Sequence, residues 1–137
     1  MGCNPQVSQT KKVSIRAASV LTLSFVNAAT TISMQNWNQL ILWLDFTTGS
    51  STGFTVRLEA ADDEQLEWYK LPAIDAAVIA SNVASVPTYA SEYTFAAVTD
   101  KYVLPIPANY RYIRVSAKAL TSATDTSLAI YYTQGLV

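Results

Sequence analysis

The fold of this chain is decided by residues 38–60, which read NQLILWLDFTTGSSTGFTVRLEA. Apolar and polar residues alternate strictly over 54–60, the period-two pattern of a strand with one buried face and one wet face. Residues 40–46 are apolar on nearly every position, which is typical of a strand inside a sheet that is covered on both sides. The intervening glycines, serines and threonines favour a turn. The stretch therefore predicts a central antiparallel pair with Arg57 and Glu59 on its wet face.

Composition limits what the chain does. Its 137 residues are enough for one domain with a real core. Charged residues make up only 14% of the sequence, where about 25% is usual. That low share favours a protein that buries surface in an assembly, although stable monomers can share it. With a net charge of −1 and no basic cluster beyond Lys11 and Lys12, we expect no nucleic-acid binding.

The chain has few residues suited to catalysis or metal binding. It has no histidine and a single cysteine, which excludes the common zinc ligand sets, histidine-activated nucleophiles and an internal disulfide. Carboxylates are the only acid–base candidates. Asp45 and Glu59 lie on the two predicted central strands, but cross-strand ion pairs of Glu59 with Arg114 or Lys118 explain the pattern better. We expect no enzyme activity, no metal and no cofactor.

The same alternation recurs along the rest of the chain and predicts eight or nine strands, with Leu21, Leu23 and Phe25 and, near the end, Leu128 and Ile130 among the expected inward side chains. Their regular spacing of about 8–12 residues is typical of an all-β sandwich or barrel. We predict a single antiparallel β-sandwich, jelly-roll-like in connectivity. The prolines at 105 and 107 place their strand at a sheet edge or end it early, because proline cannot donate to a ladder. Besides the central pair, the predicted strands are 12–16, 19–25, 65–71, 93–98, 101–106, 112–119 and 127–133, and residues 27–36 are interpreted as a loop with room for a short strand near 31–33.

Two segments depart from the strand pattern. Met1–Thr10 is polar and aperiodic, and we interpret it as either a frayed terminus or an arm that orders against a neighbouring subunit, with residues 11–137 forming the sandwich domain. Residues 72–87 form an apolar excursion, predicted as an irregular loop or two turns of helix over Ala73–Ala80. No stretch resembles a secretion signal or a membrane span, so we expect synthesis in a cytoplasm and no membrane partner.

Three tryptophans and eight tyrosines have two interpretations. They form either a platform on which sugar rings stack, as in carbohydrate-binding β-sandwich modules, or core and subunit-interface filler. We favour core or interface for Trp43 and Trp68. The arm, the two lysines that follow it, the excursion and the tyrosines together supply the candidate interface residues. These are Val7, Lys11, Lys12, Ile74, Val78, Ile79, Tyr89, Tyr110 and Tyr131.

Four quoted stretches resemble small β-sandwich virion proteins of tailed bacteriophages. They are LILWLDF at 40–46, FTVRLEA at 54–60, EWY at 67–69 and YRYIRVSAK at 110–118. The resemblance implies a structural protein of the virion, either a capsid decoration (cement) protein or a neck, tail or fibre component. It also implies the major capsid protein or another virion protein as partner, and a homo-oligomer, with a trimer favoured. A carbohydrate-binding module is the alternative from a different class.

Overall fold

The protein is described by a computed structural model over residues 8–62, 67–70, 77–79, 92–106 and 110–136. Within these ranges every regular element is a strand and none is a helix. Seven strands form the body of the fold: β2 (Val13–Ser19), β5 (Gln39–Thr47), β6 (Gly53–Ala61), β9 (Glu92–Ala96), β10 (Asp100–Ile106), β11 (Tyr112–Ala119) and β12 (Ser127–Leu136). Five shorter strands are β1 (Ser8–Gln9), β3 (Val26–Asn27), β4 (Ile32–Ser33), β7 (Tyr69–Lys70) and β8 (Ala77–Ile79).

The strands form two sheets whose apolar faces pack together. In sheet A, β1 and β2 lie along one edge of β12, followed by β5 and β10. In sheet B, β3 and β4 lie along one edge of β11, followed by β6, β9 and β8, while β7 pairs with the end of β6. Every pairing is antiparallel except the parallel pair β8–β9. The predicted all-β sandwich is confirmed, with more short strands than the eight or nine expected.

The predicted pairing of the central stretch is wrong. β5 is hydrogen-bonded to β12 and β10 in sheet A, whereas β6 is hydrogen-bonded to β11 and β9 in sheet B. The turn over 48–52 therefore crosses from one sheet to the other instead of closing a hairpin. This arrangement lets the buried faces of both strands meet across the interior, where the Phe46 and Phe54 ring centroids are 4.2 Å apart.

An aromatic cluster joins the two sheets. Phe54 of β6 stacks on Phe95 of β9 with 4.6 Å between ring centroids, and Phe95 lies 4.7 Å from Tyr102 of β10. With Phe46 of β5, two rings come from each sheet. Aromatic pairs at these separations add attraction beyond the burial of their area.

Two more strand predictions differ from the structure. Residues 19–25 bend away after β2, and of the expected inward side chains only Leu21 is buried, while Leu23 is 57% exposed. In the 72–87 excursion the structure describes only Ala77–Ile79, which form a strand, so the helix expectation is wrong for these three residues. The prediction that proline marks an edge is confirmed: β10 with Pro105 ends sheet A.

The predicted arm overlaps the sheet. Ser8–Gln9 pair with Gly135 and Leu136 of the same chain, and Thr10 donates its backbone N–H to the Gln134 carbonyl at 2.9 Å. Within the described residues, sheet A thus includes Ser8 and Gln9, which lie inside the predicted arm. Residues 1–7 lie outside the described part of the chain.

Four loops meet at one end of the sandwich, which we call the loop end: residues 20–25, 48–52, 97–99 and 120–126. Side-chain hydrogen bonds join them. Backbone N–H groups of the 48–52 loop donate to Thr99 and Thr121 hydroxyls at 3.0 and 2.8 Å. Loops tied together in this way hold their exposed side chains in a fixed arrangement.

Asp125 is the charged side chain that links two loops of the loop end. We predict that protonation of its carboxylate changes the amide proton shift of Ser50. The backbone N–H and hydroxyl of Ser50 donate to Asp125 Oδ1 at 3.0 and 2.8 Å, and these bonds hold the pKa of the carboxyl below its ordinary value. Because the folded-state pKa is lowered, the contribution to stability is present above the unfolded pKa and is lost as pH falls through the folded pKa.

The measurement is the Ser50 amide proton shift against pH. We expect a midpoint below 3.8, the ordinary aspartate value, and no titration of this amide in Asp125→Asn. A midpoint at or above 3.8 would contradict the hydrogen bonds that Ser50 donates to Asp125.

Candidate interaction surfaces

Aromatic side chains cover the charged residues on the outer face of sheet B. Glu59 is only 8% exposed and accepts a hydrogen bond from Arg114 Nη2 at 2.8 Å, while Arg57 Nη2 lies 3.7 Å away. Phe25 covers the Arg57 guanidinium at 4.1 Å, and Trp68 covers that of Arg114 at 4.6 Å. The prediction of a wet face at Arg57 and Glu59 is therefore wrong, because aromatic rings cover the charges. The predicted cross-strand pair of Glu59 with Arg114 is confirmed.

Asp45 and Glu59 do not form a carboxylate pair. Asp45 lies on the outer face of sheet A, where its carboxylate is 3.9 Å from the exposed ammonium of Lys101. Glu59 lies on the outer face of sheet B, so the whole sandwich separates the two groups. Their assignment to neighbouring strands failed together with the predicted pairing of β5 and β6.

The outer face of sheet A carries a groove of about 410 Å³, which we call the sheet A groove. Its floor runs across three strands, because Tyr131 of β12 stands opposite Trp43 of β5, and Trp43 stands opposite Val103 of β10. Apolar, aromatic and charged side chains all line the groove. The lining residues are Lys12, Trp43, Leu44, Asp45, Lys101, Tyr102, Val103 and Tyr131.

The two exposed rings of the sheet A groove have defined partners. Trp43 Nε1 donates to Thr133 Oγ1 at 2.9 Å, which fixes the indole against β12. The Lys12 ammonium lies 5.8 Å from the Trp43 ring centroid and 5.1 Å from that of Tyr131, within cation–π range. Tyr102 of β10, which pairs with buried Leu44, borders the groove from beneath: its ring packs into the aromatic cluster, where burial and then the charge of Asp100 raise the pKa of its phenol.

The loop end is the second exposed surface. Four large apolar side chains stand in solvent on three of its loops, among them Leu23 as the most exposed. The loops meet directly, since Thr52 donates its backbone N–H to Thr121 Oγ1 at 2.8 Å and Leu21 donates its backbone N–H to Thr126 Oγ1 at 3.4 Å. The four side chains are Val20, Leu23, Val98 and Leu120.

The edge of β10 that faces away from β5 pairs with no strand among the described residues, and it is poorly suited to such pairing. Lys101 donates its backbone N–H to the Asp100 side chain at 2.8 Å. Because N–H groups on alternate residues point to the same edge, Lys101, Val103 and Pro105 share the edge that faces away from β5. One of these donors is already used and the proline has none. Such features are typical of edges protected against strand addition.

Of the nine candidate interface residues, those that the structure describes lie in different parts of the fold and do not form one surface. Lys12 and Tyr131 meet in the sheet A groove, whereas Lys11 is exposed outside it. Tyr110 is half-buried and packs against the core, so it is less available than predicted. The backbones of Val78 and Ile79 lie in β8. The other three, Val7, Ile74 and Tyr89, lie outside the described residues.

Sequence reasoning missed several groove and loop-end residues. Asp45 was considered only as an acid–base candidate, and Lys101 and Val103 were not singled out. Their outward direction follows from the alternation of β10, in which Leu104 faces the core. Leu23 was assigned to a buried face, and no signal in its own segment identifies it as exposed.

No helix among the described residues is long and apolar enough to cross a membrane. No group of three or more cysteine and acidic residues there is placed to hold a metal ion.

Comparison with known proteins gives a fold relationship. No protein-family model matches the chain, and no curated protein matches its sequence. The chain is similar to the crystal structure of the SPBc2 prophage-derived protein YomS, with a TM-score of 0.60 and 12% identity. The match covers 98% of this chain and 99% of that one. At this identity the likeness concerns the fold, which is thus one that a prophage-derived protein also adopts over its whole length.

Proposed function

We propose that this chain is a non-enzymatic structural protein of a phage virion, namely a decoration protein that binds the outer face of the capsid shell. The observation that carries the proposal is the loop end, where rigid loops hold apolar side chains in solvent. The full-length fold match to a prophage-derived protein supports a phage origin, as does the sequence resemblance to virion proteins. The partner is the major capsid protein.

The mechanism relies on buried area rather than on chemistry. The loop end exposes four large apolar side chains, the kind of side chain that marks interaction sites on soluble proteins where it forms a patch. Because the loops of the loop end are hydrogen-bonded to one another, little conformational entropy is lost when they dock. A stable interface buries about 1,600 Å² in total. Several copies, associated as a trimer on the shell, would add such contacts around each capsomer junction.

The test begins with the amount of the chain in purified virions produced from the genome that encodes it. We expect quantitative mass spectrometry to find a copy number of the same order as the major capsid protein. A far lower copy number would instead favour a position in the neck, tail or fibre of the virion. Absence of the chain from virions would overturn the proposal.

The docking surface is then tested with two matched leucine variants. Leu23→Ser lies at the loop end, whereas Leu136→Ser lies at the opposite end of the sandwich with a similar exposure of 51%. Neither change should shift stability by more than about 0.5 kcal/mol, because both side chains are exposed. We expect Leu23→Ser alone to weaken co-sedimentation with undecorated capsids, by about tenfold in Kd. Equal binding by both variants would contradict docking through the loop end.

A further inference from the structure

We propose that the sheet A groove binds an acidic saccharide, a sugar that carries a carboxylate or a phosphate. This site is separate from the loop end, so the inference does not depend on the proposed role in the capsid. The first support is the floor of the groove. Trp43 and Tyr131 stand side by side on neighbouring strands, both half-exposed, and the bond to Thr133 keeps the indole in place. Rings held in this way offer apolar faces for sugar rings.

The charges of the groove favour an anionic ligand. The Lys12 ammonium lies over both rings and has no carboxylate partner among the described residues. Lys101 has an 82% exposed side chain and only a 3.9 Å contact with Asp45. Two ammonium groups against one carboxylate leave the groove positive on a protein of net charge −1. An anion on the ligand would complement the lysines, and the Asp45 carboxylate would accept hydrogen bonds from sugar hydroxyls.

The shape of the groove favours a saccharide over a peptide. Its volume of about 410 Å³ lies within the range of small-ligand sites. An extended peptide would gain most from adding a strand at β10, the edge that borders the groove. That edge is protected, because the Lys101 N–H is bonded to Asp100 and Pro105 has no N–H. A peptide would therefore lie across the groove without backbone partners.

The test uses trigalacturonate as the carboxylated probe, galactose 6-phosphate as the phosphorylated probe and galactotriose as the neutral control. We expect calorimetry to give at least about tenfold tighter binding for an acidic probe than for galactotriose. Binding should change tryptophan fluorescence, and this change should be lost in Trp43→Phe. Whichever acidic probe binds more tightly distinguishes carboxylate from phosphate recognition.

Two neighbouring lysines provide the matched control. Lys12→Gln should weaken acidic-probe binding by about tenfold, the effect of losing one charged contact, whereas Lys11→Gln should leave it unchanged. If both variants lost the same affinity for the acidic probe, the effect would be general electrostatic attraction, and the proposed site would be wrong. The proposal would also be wrong if galactotriose bound as tightly as the acidic probes, or if a hexaglutamate peptide bound more tightly. It would equally be wrong if no acidic probe bound at concentrations up to about 10 mM. Unchanged melting temperatures would show that the variants are folded.

Discussion

Replacing Phe54 with alanine is expected to lower the free energy of unfolding by about 3–5 kcal/mol, the largest effect of any single change that we predict. Phe54 is fully buried. Its ring lies 4.2 Å from Phe46 in the opposite sheet and 4.6 Å from Phe95 in its own. Removing it leaves a cavity where the two sheets meet. Urea unfolding followed by tryptophan fluorescence measures the loss.

The same substitution at Phe25 is the control. Phe25 is half-exposed on the outer face of sheet B and contacts Arg57 and Lys118 rather than the core. We expect Phe25→Ala to cost about 1–2 kcal/mol, from partial burial and two cation–π contacts. If Phe54→Ala costs no more than Phe25→Ala, the aromatic cluster does not hold the sheets together.

Alternation predicted the buried faces well because it depends only on local geometry. Residues 112–119 form β11 with the predicted bounds, and Leu128 and Ile130 of β12 are buried as expected. The edge position of β10 could also be predicted from the sequence, since Pro105 lacks the N–H donor that an inner strand needs. In each case the information lies within one segment.

Alternation does not identify a strand's neighbours. A short turn between two strands suits both a hairpin and a crossing between sheets, and here residues 48–52 make the crossing. The pairing of β5 with β12 joins segments about ninety residues apart, as the bond from Trp43 to Thr133 shows. The sheet A groove depends on this long-range order. Its lysines and rings come from four separate segments, so no local pattern could assemble it.

Polarity also failed as a guide to exposure on sheet B. The outward residues of β6 are charged, and charge usually indicates water. Phe25 breaks the expected strand over 19–25 because its ring lies on these charges instead of in the core. The sequence contains both the arginines and the aromatics, but their contact depends on how the 20–25 loop returns over the sheet.

Glu59→Gln is expected to lower the free energy of unfolding by about 3 kcal/mol, because it leaves Arg114 and Arg57 as partly buried charges without their shared carboxylate. Glutamine keeps the size of the side chain, so the loss reports charge rather than packing.

The exposed Asp45→Asn removes the same charge from sheet A and should cost no more than about 1 kcal/mol. Urea unfolding at low and high salt separates the two pairs further. Salt screens the Asp45–Lys101 pair, whose side chains are open to solvent, far more than the covered pair on sheet B. A loss for Glu59→Gln as small as that for Asp45→Asn would mean that water reaches Glu59. The rings of Phe25 and Trp68 would then not close the outer face of sheet B, and that face would be a further open surface for a partner.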